Sequence, residues 1–211
     1  MYGLFFGDSI TYGEYDGVFG GWVDILKRYA LQKYNEESKE LIIFNLGIGG
    51  ETTEGLVKRI SSEMAARNSD EGNIIFLGYG ANDLAVKEGE YLVNPEKFRE
   101  NILKAIQEAE KYSPIIYLIS ILPIAEKLDG IITASGKLRT NDEVLVYNQI
   151  LKEIARENSL NYIDFHSAFL QDKEILLSED GIHPNEKGYG IMAEIAIPII
   201  EKYFINNLQN F

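Results

Sequence analysis

The chain has 211 residues, 45% of them hydrophobic, a formal net charge of −13, two histidines and no cysteine. That length suits a single domain, expected to span 1–211, and the acidic balance argues against nucleic acid and anionic membrane surfaces as partners. Disulfides are excluded, ligands for a transition metal are few, and no apolar run nears the ~18 residues that cross a bilayer.

Gly3 to Phe6 predicts a first buried strand. It runs directly into Gly7-Asp8-Ser9-Ile10-Thr11, a turn that opens a helix-like segment. Trp22, Ile25, Leu26 and Tyr29 recur at helical spacing. Leu41 to Asn45 predicts a second strand, about Thr53 to Ala66 a helix, and Asn73 to Leu77 a third strand. Asn94-Pro95 reads as a helix start, with a capping amide followed by a ring that lacks the N–H a first turn leaves unpaired. Phe98, Ile102, Ala105, Ile106 and Ala109 form that helix's apolar face, and Ile115 to Ser120 predicts the fourth strand. Pro123 to Asn141, with Gly130, Gly136 and several charges, is the least regular stretch; it is either a loop over the active face or a surface excursion. Val146, Ile150 and Ile154 mark another helix, and Tyr162 to Asp164 the fifth strand. Tyr189, Met192, Ala193 and Ala196 mark a last helix, which Pro198 is expected to kink or break near Ala196-Ile197.

The strands lack the alternation of a half-exposed sheet. Five strands alternating with helices predict a parallel sheet covered on both faces, a three-layer α/β/α sandwich. In such sheets ligands bind beyond the carboxyl ends of the strands. Four polar clusters fall there: Gly7-Asp8-Ser9, Gly47 to Thr52, Gly80-Ala81-Asn82-Asp83, and Asp180 to His183 before the last helix.

A serine hydroxyl needs a base to act as a nucleophile. His183 is the better candidate, because His166 has no acid at a suitable spacing beyond it and is read as a structural or surface histidine. Asp180, three residues before His183, can reach the near ring nitrogen and leave the far one for Ser9. The competing reading makes Asp180-Gly181 a plain turn and Pro184-Asn185 the start of a helix. Attack on an ester carbonyl creates an oxyanion that needs fixed donors. The Ser9 N–H, the Gly50 N–H and the Asn82 side chain are the candidates.

Together these clusters resemble the four sequence blocks of the GDSL lipase/esterase family, also called SGNH hydrolases. Gly7-Asp8-Ser9-Ile10 is similar to the first block, Gly50 within Asn45 to Thr52 to the second, Gly80-Ala81-Asn82-Asp83 to the third and Asp180-Gly181-Ile182-His183 to the last. Ile10 stands where the family name has leucine, and Gly47 or Gly49 competes with Gly50, which is preferred because it directly precedes Glu51-Thr52. The resemblance implies Ser9 as nucleophile, His183 as base and Asp180 as its orienter. It also implies Ser9, Gly50 and Asn82 as the oxyanion hole, and a flavodoxin-like sheet of five parallel strands. Asp8 and Asp83 are read as carboxylates that brace their loops.

The expected activity is therefore hydrolysis of small-molecule acyl esters through an acyl-serine intermediate, with short acyl groups preferred and no cofactor or metal needed. A carbohydrate O-acetylesterase is the alternative within the family, and a non-catalytic α/β binding module the alternative outside it. Activity is expected to fall as His183 becomes protonated, since the cation cannot accept the Ser9 proton. Tyr12, Tyr79 and Leu84 are expected to line the substrate site, with Tyr15 and Phe19 as further aromatic candidates and 12–19, 84–93 and 123–141 as the pocket walls. Two other patterns fail as motifs. Gly78-Tyr79-Gly80 lacks the third glycine of a dinucleotide fingerprint, and Gly130 to Lys137 has one residue too many for a phosphate loop. The acidic Lys87 to Glu96 stretch reads as a solvated face rather than a calcium loop. No basic segment leads into a long apolar one, so a signal peptide is not expected; a cytoplasmic location without stable membrane insertion is.

Overall fold

The structure, a computed structural model, describes residues 1–206. Five strands form one parallel sheet: β1 (Tyr2–Gly7), β2 (Ile42–Gly47), β3 (Asn73–Gly78), β4 (Ile116–Ile119) and β5 (Asn161–Ile163). Their order across the sheet is β2-β1-β3-β4-β5, the flavodoxin-like order. Each strand is apolar at successive positions because both faces are covered. Leu4 and Phe6 face one side, and Phe5 between them faces the other.

The helices α3 (Thr53–Ala66), α4 (Pro95–Ala109) and α5 (Asn141–Glu157) cover the Leu4 face with Leu56, Ile60, Phe98, Ile102, Tyr147 and Leu151. The opposite face is covered by α2 (Trp22–Glu37) and the last helix (Glu186–Ile200), through Trp22, Leu26, Tyr189 and Met192. On that face Phe5 stacks on Phe76 at 4.1 Å between ring centroids and Phe76 on Tyr117 at 5.0 Å, with Trp22 edge-on to Phe5 at 5.3 Å. Such aromatic pairs are worth ~0.5–1.5 kcal/mol each beyond their buried area. They tie three neighbouring strands to one register, Phe5 opposite Phe76 and Phe76 opposite Tyr117.

The same register brings Gly7, Gly47 and Gly78 level at the carboxyl ends of β1, β2 and β3. A Cβ at Gly7 would lie 1.9 Å from Thr11 Oγ1, and one at Gly47 would lie 2.3 Å from the Tyr12 amide nitrogen. These glycines let the four-residue helix α1 (Ser9–Tyr12) sit directly on the strand ends. The height of Ser9 above the sheet follows from that contact.

Three details differ from the sequence expectations. β2 runs Ile42–Gly47 rather than from Leu41 to Asn45. The last helix does not break at Ala196-Ile197 but continues to Ile200 before a 3-10 turn at Glu201–Tyr203. Pro198 lies in its final turn, where a missing N–H removes one hydrogen bond, and buried Met192, Ala193 and Ala196 hold the rest in place. The 123–141 stretch is not structureless: Lys137–Leu138 pairs antiparallel with Val86–Lys87, which pairs in turn with Glu90–Tyr91. Among the described residues no helix is long and apolar enough to cross a membrane.

Candidate active site

Asp8 caps α1, its Oδ1 accepting from the Ile10 N–H at 2.9 Å, and Gly13 ends the helix in the left-handed conformation at φ 97°. A Cβ on Gly13 would lie 2.1 Å from the Gly20 carbonyl oxygen, so the turn after α1 folds tightly back on the chain. This short element holds Ser9 nearly buried, with Oγ 2.7 Å from His183 Nε2.

His183 lies on the segment just before the last helix. Asp180 Oδ1 accepts from the Ile182 and His183 N–H groups, both at 3.1 Å, while Oδ2 lies 2.5 Å from His183 Nδ1. Burial alone raises the Asp180 carboxyl, but the hydrogen bonds from His183 and the two backbone amides outweigh it and hold the group below its ordinary range. Gly181 supplies the left-handed residue of this turn at φ 65°. Asn185 anchors the far side, accepting from Gly188 N and donating to the Ile175 and Leu177 carbonyls at 2.7 and 3.0 Å. The plain-turn and helix-start features weighed in the sequence are thus both present, and they are what aims the imidazole. The two ends of the chain meet directly: Tyr189 Oη donates to the Glu14 carbonyl at 2.8 Å.

The candidate oxyanion donors face the same cavity as Ser9. Gly50 adopts φ 75°, and a Cβ there would meet nothing within 4 Å. Glycine is favoured here by the backbone conformation and not by crowding. Asn82 donates one N–H of its amide to the Glu51 carbonyl at 3.2 Å, while its Oδ1 accepts from Arg139 Nη2 at 3.2 Å. Arg139 is itself fixed by donating Nε–H to the Ala81 carbonyl at 2.7 Å. The guanidinium determines which end of the amide is oxygen, leaving the second Nδ2 proton for the cavity.

Behind these donors lies a polar scaffold. Glu51 accepts from both Arg59 nitrogens and from Tyr79 Oη at 2.7 Å. Arg59 also donates to the Leu46 carbonyl, so α3 is tied to β2 and to the Gly50 loop together. Asp83 Oδ1 accepts from the Thr53 N–H at 2.9 Å and from the Thr53 hydroxyl, which in turn accepts from Asn101 Nδ2 at 3.0 Å. Asp83 Oδ2 is buried without a hydrogen-bond partner. Burial pushes the Asp83 carboxyl up to about 7, with the Asp8 charge adding to the rise. Burial likewise raises Asp8 to about 6, although the Ile10 N–H, His183 and Arg139 pull the other way.

The cavity has a volume of about 420 Å³ and contains Ser9, Gly50, Asn82, Asp180 and His183 on its wall. Its rim is formed by Glu14 and Tyr15 on one side and by Thr133, Ala134, Ser135 and Lys137 on the other. Of the two readings of 123–141, the loop over this face is the one observed. Burial together with the charges of Arg139 and Lys87 lowers Lys137 below its ordinary value.

The expected substrate contacts need correction. Tyr79 and Leu84 are buried core residues and do not line this cavity. Tyr79 turns its hydroxyl to Glu51 and Arg59, and Leu84 packs under the loop against the α3–α4–α5 layer. Tyr12 is exposed but lies outside the cavity wall. Tyr15 does line it, its ring 5.0 Å from the His183 ring. Glu14 and Arg139 were not singled out from sequence, where each is one charged residue in a segment with no motif. His166 sits apart at the start of a short helix (Phe165–Phe169), its N–H donating to Ser120 Oγ at 2.8 Å. Among the described residues no group of three or more His, Cys, Asp or Glu side chains is placed to hold a metal ion.

Comparison with known proteins gives three kinds of match. A family model described as the GDSL-like Lipase/Acylhydrolase family matches residues 5–191. The chain is similar to the isoamyl acetate-hydrolyzing esterase of Saccharomyces cerevisiae, 29% identical over 210 residues, which cover 95% of this chain and 86% of that protein. It is 36% identical over 98 residues to an acetylxylan esterase of Xylanibacter ruminicola, a stretch that covers 46% of this chain and 19% of that protein. A crystal structure of a lipolytic G-D-S-L family member from Veillonella parvula matches with a TM-score of 0.74 at 26% identity, covering 96% of this chain and 99% of that one.

Proposed function

The chain belongs to the GDSL-like lipase/acylhydrolase family and is a carboxylic ester hydrolase, and on that premise we propose that it works through Ser9, His183 and Asp180 with an acyl-serine intermediate. His183 Nε2 takes the Ser9 proton as Oγ attacks the ester carbonyl carbon. The negative charge moves to the carbonyl oxygen, against the Ser9 and Gly50 N–H groups and the free Asn82 Nδ2–H. The tetrahedral adduct collapses, the C–O bond to the alcohol breaks, and His183 returns the proton to the departing oxygen. Water then repeats the sequence on the acyl-serine, giving the carboxylic acid and free Ser9. Asp180 keeps the Nδ1 proton in place and stabilises the imidazolium formed in each half.

The observation that carries this reading is the unbroken contact chain from Ser9 Oγ through His183 to Asp180, at 2.7 and 2.5 Å. A fluorophosphonate probe tests it. Ser9 should be labelled in the parent protein, and no label should appear in Ser9→Ala; unlabelled parent protein rejects the mechanism in favour of a binding module.

The acyl group we propose is short. The yeast relative is named for an acetate ester. Beneath Ile10 and Ala81, two cavity-lining residues, the interior leaves voids of only about 20 and 10 Å³, about the space of a single water each. p-Nitrophenyl acetate should be turned over faster than the octanoate and palmitate. Faster long-chain turnover contradicts the preference, and acetylated xylan outpacing all three moves the reading to a carbohydrate O-acetylesterase.

A further inference from the structure

Glu14 is held in an unusual place for a residue with no motif around it. Its N–H donates to the Ser9 carbonyl at 3.0 Å, and its own carbonyl accepts from Tyr189 Oη at 2.8 Å. The next residue, Tyr15, sits in the left-handed region at φ 70°. These constraints turn the Glu14 side chain back over Ser9. Its carboxylate reaches the cavity with Oε2 3.6 Å from His183 Nε2. Among the described residues that imidazole is its sole hydrogen-bond or ion-pair partner. Oε1 lies on the far side, 2.4 Å from where a Cβ on Gly49 would stand. Gly49 therefore reads as the glycine that makes room for this carboxylate.

Nε2 is the atom that must return a proton to the departing alcohol oxygen. Whatever the alcohol carries next to that oxygen therefore sits beside Glu14. It also sits beside Tyr15, which is 65% exposed and has its ring tilted against the imidazole, a position open to the solvent side of the cavity. A fixed carboxylate next to an exposed aromatic ring is the combination that attracts an organic cation, by direct charge and by the ring's negative face. The two cations of the cavity do not cancel it. Arg139 is committed to Ala81 and Asn82, and Lys137 stands on the opposite rim, in the strand paired with Val86–Lys87.

We propose that Glu14 and Tyr15 form a leaving-group subsite selecting ester alcohols that bear a cationic group, such as a quaternary ammonium, over neutral and anionic alcohols. The proposal rests on Ser9 and His183 acting as nucleophile and base. It concerns the alcohol half of the ester and is independent of acyl length.

The test compares acetylcholine with 3,3-dimethylbutyl acetate, which has the same shape without the charge, and with 2-sulfoethyl acetate as the anionic ester. In the parent protein kcat/KM should favour acetylcholine over its neutral isostere by about tenfold at low salt and disfavour the sulfonate, with the ratio shrinking in 0.5 M NaCl. Glu14→Gln should bring the cationic-to-neutral ratio close to one, and Tyr15→Leu should lower it about threefold. Because each ratio is taken within one protein, general damage to a variant cancels. If Glu14→Gln does not fold, the parent ratio, its salt dependence and Tyr15→Leu still decide the matter. A parent ratio at or below one, or a ratio unmoved by Glu14→Gln, overturns the subsite. Parent protein that neither takes the fluorophosphonate label nor hydrolyses any of the three esters overturns the serine mechanism, and the subsite with it. Labelled protein that hydrolyses the neutral ester without charge preference overturns the subsite alone.

Discussion

The cavity wall bearing Gly50 and Asn82 rests on buried ion pairs and hydrogen bonds reaching into α3 and α4, whereas the facing rim, Thr133 to Lys137, hangs on a turn closed by Thr133 and a two-residue strand pairing. On the first wall, Glu51, Arg59, Tyr79, Asp83, Thr53 and Asn101 satisfy one another a few ångströms behind the donors. On the second, Ile131 and Ile132 are exposed and Ser135 Oγ shares a hydrogen bond only with its neighbour Thr133. Oxyanion stabilisation needs donors that do not reorganise during reaction, so rigidity belongs on that side. Substrate choice tolerates an adaptable surface, and loops held by few contacts provide one.

Breaking the chemistry itself should give the largest effect. Ser9→Ala and His183→Ala should each lower kcat by ~10³-fold or more while the far-UV circular dichroism stays that of the parent. Parent-like turnover in either refutes the assigned roles. Next comes the rigid wall's donor: Asn82→Ala should cost ~10²–10³-fold in kcat with little change in KM. If KM rises and kcat holds, Asn82 binds substrate and does not stabilise the oxyanion.

The scaffold behind that wall is tested by Arg59→Met, which strands the mostly buried Glu51 carboxylate. We expect a loss of ~2–3 kcal/mol in urea unfolding, because removing one partner leaves the other charge unpaired. An unchanged midpoint would mean that the network does not brace the site. Asp83 adds a pH signature. The unfolded chain loses this proton near pH 4 and the folded one holds it to about pH 7. Over that window the folded state binds more protons, so this group's contribution to stability falls as pH rises, by up to ~1.4 kcal/mol per pH unit. Asp83→Asn removes that slope. The variant should gain on the parent steadily from pH 4 to pH 7 in urea melts, and parallel stability curves would show that Asp83 ionises normally. The smallest effect belongs to the loose rim: Ser135→Ala should move stability by less than ~0.5 kcal/mol and act on KM more than on kcat. A large stability loss there would erase the contrast between the two walls.

Much of this arrangement was legible in the residues. Strand runs such as Asn73 to Leu77 are short, apolar on both faces and bounded by turn residues, and the cap at Asn94 with Pro95 marks α4 at its observed start. The clusters around Ser9, Gly50, Asn82 and His183 were readable because each sits where a strand or helix ends. The misread positions failed for one reason. Tyr79 and Leu84 lie beside Asn82 in sequence, but one faces the Glu51–Arg59 pair and the other the core. Which way a loop residue points depends on partners distant in the chain. Glu14 and Arg139 went unnoticed on the same account, since each matters through a contact more than fifty residues away.

The sequence by itself determined the layered sheet, the reactive residue types and their order, because hydrophobic spacing, glycine conformations and capping chemistry are local properties. Tertiary structure alone decided that the first and last segments touch, that Arg139 orients the Asn82 amide, and that a lone carboxylate stands beside the imidazole. Those are through-space relations, set when the level strand ends and the packed helices bring distant residues within a few ångströms of one another.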